Sequence, residues 1–148
     1  MLTKEILDMH ITLQEGSEFF RGLLLLIRKD QKITDEEKSL LMRIGKSLGF
    51  APSFCTTAIA EILENKYVST NPPVFSDKKI AENFINHGLI ISFSDNEIHR
   101  NELQWLQLVA NSNGIDNAWV QQEKEKLILA HNKKKKDFDD LIRLHPLS

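Results

Sequence analysis

The sequence contains one cysteine, Cys55, so an internal disulfide is excluded. Cys55 stands in the apolar stretch FCTTAIAEIL and reads as a buried, inert thiol rather than a nucleophile. Long hydrophobic runs are also missing. The longest purely apolar run, Leu23 to Ile27, is far below the ~20 residues of a membrane-spanning helix, so the chain is not expected to span a membrane. The opening MLTKEILDMHITLQEG is broken by charges every few residues and does not read as a signal peptide, which gives a cytoplasmic expectation. Charge of one sign is scarce as well. A formal net charge of −2 provides no steering toward nucleic acid, which is not an expected partner. There is no Gly-rich phosphate loop. The five histidines show no zinc spacing, and no serine or cysteine has a partner at a spacing that suggests nucleophilic catalysis. The chain therefore reads as non-enzymatic.

What is present is an ordinary globular composition, 148 residues with 41% hydrophobic and 27% charged. That length suits one domain, residues 1–148, able to bury roughly two-thirds of its unfolded surface. Apolar residues recur at three- and four-residue spacing, which predicts an all-α bundle of seven helices at 2–14, 16–29, 34–48, 52–66, 76–93, 99–112 and 117–142. Asn71-Pro72-Pro73 forces extended backbone between the fourth and fifth. Gly49 and Gly114 suit left-handed C-terminal caps, Pro52 a first helical turn and Ser76 an N-cap.

The chain also repeats itself. At an offset of 65, Phe19 falls on Phe84, Leu24 on Leu89, Asp30 on Asp95, Ile33 on Ile98, Glu37 on Glu102, Leu41 on Leu106, Ser47 on Ser112 and Gly49 on Gly114. Past the turn, Phe54 meets Trp119 and Ile62 meets Leu127, with no gap required. Internal repetition usually means one supersecondary unit used twice, here about 19–62 and 84–127. Each unit opens with a helix apolar nearly all round, FFRGLLLLIR or FINHGLIISF, expected at the centre of the bundle. A short turn follows, then an amphipathic helix, then a third helix anchored by Phe54 or Trp119. The expected product is a pseudo-two-fold bundle.

The two turns read Lys29-Asp30-Gln31-Lys32-Ile33-Thr34-Asp35-Glu36-Glu37 and Ser94-Asp95-Asn96-Glu97-Ile98-His99-Arg100-Asn101-Glu102. Their shared Asp-x-x-Ile-x-x-x-Glu resembles the motif Ala-Asp-Gly-x-Ile-Ser-x-x-Glu of TerB-like domains, a family named for its association with tellurite resistance. The resemblance runs from about Phe19 to Leu127. Both copies lack the Gly after Asp, replaced by Gln31 and Asn96, and the Ser position is Thr34 in one and His99 in the other. The resemblance implies an all-helical, non-enzymatic module. For some members it implies metal binding by the acidic residues, and for others a role in protein interaction near membranes or in stress response.

Two readings of Asp30, Glu37, Asp95 and Glu102 stand side by side. As a metal site, their carboxylates suit calcium, magnesium or manganese, provided both turns lie at one end of the bundle. An EF-hand is excluded, because Glu comes eighth and the central Gly is missing. As structure, Thr34 to Glu37 is a capping box, Glu102 occupies the matching place, and Asp30 and Asp95 accept from turn amides. In the second reading the chain is a protein-interaction or scaffold domain. Lys133 to Lys136, followed by Asp137, Asp139 and Asp140, reads as a solvated helical face rather than a nucleic-acid patch, with phosphate or acidic-lipid binding as the alternative. Trp105 and Trp119 read as core or, alternatively, as the lining of a partner-binding groove, His87 as a core or interface residue, and His99 as a helix-start residue of the second motif or a member of a cation site.

Overall fold

A computed structural model describes residues 11–29, 32–64 and 68–144, with side chains as far as Lys134. The described residues form six α-helices, one 3₁₀ turn and no strands. The helices are α1 (Leu13–Arg28), α2 (Asp35–Ser47), α3 (Pro52–Glu61), α4 (Lys78–Ser92), α5 (Arg100–Ser112) and α6 (Asn117–Leu144); Phe93–Asp95 is the 3₁₀ turn. The predicted helix 2–14 falls largely outside the described residues.

Local chemistry accounts for these boundaries. Thr12 caps α1 by accepting from the Glu15 amide. Pro52 opens α3, where its missing N–H costs nothing. Gly49 (φ 90°) and Gly114 (φ 73°) close α2 and α5. After each, a backbone N–H reaches back five residues, Phe50 to the Gly45 carbonyl and Ile115 to the Ala110 carbonyl. Two expectations need correction. The N-cap of α4 is Asp77, which accepts from the Lys79 amide, while the Ser76 amide donates instead to Glu15 Oε1 at 2.7 Å. The third predicted helix of the first unit, 52–66, ends at Glu61, because the chain tightens into a three-residue turn with the Glu64 amide on the Glu61 carbonyl.

Helices α1 and α4 lie at the centre, as their all-round apolarity requires. Phe19, Leu23, Leu26 and Ile27 of α1 and Phe84, Ile85, Leu89 and Ile91 of α4 are buried against one another and against Leu41, Ile44, Leu106 and Val109 of the flanking helices. Each such side chain contributes roughly 1.5–3 kcal/mol of transfer free energy. Phe19 meets Phe84 edge-on, with ring centroids 5.4 Å apart. His87 is buried beside Phe19, its Nδ1 2.6 Å from the Asn83 carbonyl. Trp105 is buried and Trp119 packs against the core's edge.

Residues 69–75, ahead of α4, are held by side chains from two places. The Arg21 guanidinium donates to the Ser69 and Asn71 carbonyls at 2.7 and 2.9 Å, and is itself paired with Glu18. The Asn113 amide group donates to the Pro73 carbonyl and accepts from the Phe75 amide. No helix among the described residues is long and apolar enough to cross a membrane.

Candidate functional site

The two turns lie at the same end of the bundle. Lys29, at the close of α1, lines one small space together with His99, Arg100, Asn101 and Glu102, and α2 packs against the 3₁₀ turn Phe93–Asp95. The helix starts they precede are alike in backbone. Thr34 has φ −76° and ψ 162°; His99, 65 residues later, has φ −76° and ψ 149°.

In the first turn, Thr34 and Glu37 cap each other. The Thr34 amide donates to Glu37 Oε1 at 2.9 Å, and the Glu37 amide donates to Thr34 Oγ1 at 3.1 Å. Glu37 is 4% exposed. A carboxylate so deeply buried is costly unless hydrogen-bonded, and the cap supplies such a bond while the negative charge faces the positive end of the α2 dipole. Glu102 stands at the third position of α5, the place Glu37 holds in α2, and is 2% exposed. His99 occupies the N-cap of α5 without a side-chain bond to the helix amides; its Nε2 lies 3.4 Å from Asp95 Oδ2. Asp95 is exposed, and its Oδ1 accepts from the Glu97 amide at 3.2 Å, closing a turn in which Asn96 takes φ 70°. Asn tolerates this left-handed backbone without a Gly.

Asp30 lies outside the described residues. Among those described, no group of three or more His, Cys, Asp or Glu side chains comes together in a form that could hold a metal ion. The space beside Glu102, about 200 Å³, is walled by Lys29, His99 and Arg100, and the Lys29 ammonium sits 5.3 Å from the Trp105 ring centroid. Basic side chains around a carboxylate oppose a divalent cation there.

Two surface features were not legible in the sequence. The first is an apolar cleft of about 210 Å³ between α1 and α3, floored by Phe20, Leu24 and Ile62 and edged by Phe50 and Phe54. Phe54 was expected to anchor α3, yet it is 54% exposed. Cys55, Ile59 and the C-cap Ile62 seat α3 instead, and the Phe54 ring packs at a tilt against Phe50, with centroids 5.3 Å apart. Cys55 is 1% exposed, and burial pushes its thiol pKa up, as an inert role requires. The second feature is a wider groove between the second turn and α6, bordered by Phe93, Ile98, Lys124, Ile128, His131 and Lys134.

Comparison of the chain with protein-family models, with curated proteins and with solved structures gives no match.

Proposed function

We propose that the chain is a non-catalytic, TerB-like helical binding module, made of two related units, whose acidic motifs are structural caps rather than a metal site. The observation that carries this reading is the Glu37 side chain, buried and engaged in a reciprocal cap. It is supported by Glu102 at the matching, equally buried place in α5. The doubled architecture draws support from helix limits that coincide at the offset of 65: α2 (Asp35–Ser47) against α5 (Arg100–Ser112), and the starts of α1 and α3 (Leu13 and Pro52) against those of α4 and α6 (Lys78 and Asn117). The link to tellurite or stress response and a protein partner rest on the family resemblance of the two motifs, and the cytoplasmic setting on the charged opening of the sequence.

Titration calorimetry with calcium and with manganese tests the reading. The wild type is expected to release no binding heat. The Glu37→Ala and Glu102→Ala variants are expected to melt earlier, each losing about 1 kcal/mol or more as a buried cap is removed. Saturable cation binding in the wild type that disappears in either variant would restore the metal reading of Asp30, Glu37, Asp95 and Glu102.

A further inference from the structure

We infer that the groove between the second turn and α6 is a binding site for a small amphipathic anion: an aryl or alkyl body carrying one phosphate, sulfonate or carboxylate head. This inference goes beyond the module reading and does not depend on the role of the acidic motifs.

The groove is large, about 940 Å³, and its walls differ in character. Phe93 and Ile98 on the turn face Ile128 on α6 and give it an apolar lining. Phe93 meets the His131 ring edge-on at 5.1 Å, which fixes one corner. Lys124 and Lys134 bring positive charge from α6. Neither has an ion pair or hydrogen bond among the described residues, although Lys126 on the same helix pairs with Glu123.

Lys124 is unusual for its place. At the offset of 65 its counterpart is Ile59, a buried core residue 3% exposed. The first unit closes that position with an apolar side chain and ends its helix at Glu61. The second unit continues as α6 to Leu144 and puts a half-buried lysine at the same register. The aliphatic stem of a lysine lies along apolar surface while its ammonium reaches the rim. The outcome is a greasy trough with cations at its edge, the complement of an amphipathic anion. Among the described residues of the lining the one acid, Glu97, is exposed on the turn side.

The test uses the full chain and 1-naphthyl phosphate as probe, with inorganic phosphate and 1-naphthol as the head and the body alone. Calorimetry and amide chemical shifts report binding. The expected result is saturable binding of 1-naphthyl phosphate that weakens with salt, moves the Phe93, Ile98 and His131 signals, and is about tenfold weaker in Lys124→Gln/Lys134→Gln. Both parts alone bind more weakly than the whole. The two lysines are at the surface or rim, and an unchanged melting curve for the variant confirms that it remains folded. Undiminished binding in that variant, equal binding of inorganic phosphate, or no binding of 1-naphthyl phosphate would each overturn the inference. Binding to vesicles of anionic phospholipid without binding to the soluble probe would overturn it too, and would point to a membrane surface instead.

Discussion

The Trp105 indole N–H donates to the Gly22 carbonyl at 3.0 Å, joining residues 83 apart in sequence inside the core. Gly22 makes the approach possible from the other side as well, because a Cβ there would lie 2.6 Å from the Phe84 ring. One bond thus ties the central helix of the first half to the amphipathic helix of the second. Trp105→Phe keeps most of the buried area but loses the donor and weakens the seat of the Lys29 ammonium. A loss of about 1–2 kcal/mol is expected, read from urea midpoints at unchanged slope. Trp105→Ala is expected to cost about 3–5 kcal/mol.

Close packing of α4 on its neighbours predicts a second result. A Cβ on Gly88 would sit 2.5 Å from Leu106 Cδ2 and 3.3 Å from Leu26 Cδ2, and both leucines are fully buried. Alanine ordinarily gains about 1 kcal/mol over glycine within a helix. Overpacking, at about 1–3 kcal/mol, outweighs that gain here, so Gly88→Ala should be destabilising overall. Trimming the obstacle in Gly88→Ala/Leu106→Val should cost less than the sum of the single changes. A double-mutant cycle measures this coupling, and strict additivity would show that the two residues do not touch.

Acid sensitivity supplies a third. The Glu15 carboxylate is held below its ordinary pKa of 4.5, first by the Ser76 hydroxyl and then by the Ser76 amide. A depressed folded-state pKa adds stability above the unfolded-state value, and that stability is lost as pH falls through the folded-state value. Glu15→Gln should therefore lower stability at pH 7 and leave it nearly unchanged once the wild-type carboxylate is protonated, below the ordinary carboxylate range. Denaturant melts at neutral and at acid pH check the sign. An equal deficit at both would rule out the linkage.

Much of this fold could be read from the chain because its punctuation is local. Pro52, Gly49, Gly114 and the Thr34-x-x-Glu37 box each act within one helical turn, and each sits where that chemistry demands. The capping expectation failed at Ser76 because the next residue, Asp77, takes the N-cap with its carboxylate, while Ser76 bonds to Glu15 of α1. The bond to Glu15, 61 residues away, has no trace in a sequence window. The same is true of Phe54. Its register matches Trp119, yet α3 is short and lies at the margin, so one aromatic stays half out of the core while the other packs on it. Of the candidate site, the burial of Glu37 and Glu102 and the nearness of the two turns are tertiary facts. Spacing alone places a glutamate at the third helical position but does not say how much protein covers it.

The stretch 69–75 ahead of α4 is clasped by Arg21 of α1 and by Asn113 at the end of α5. What looks on paper like a hinge is thereby built into the masonry. Neither side of it is a removable brick: cleaving them apart would strip carbonyls of their donors and leave the inner faces of α1 and α4 wet, so the molecule should melt as a single cooperative unit.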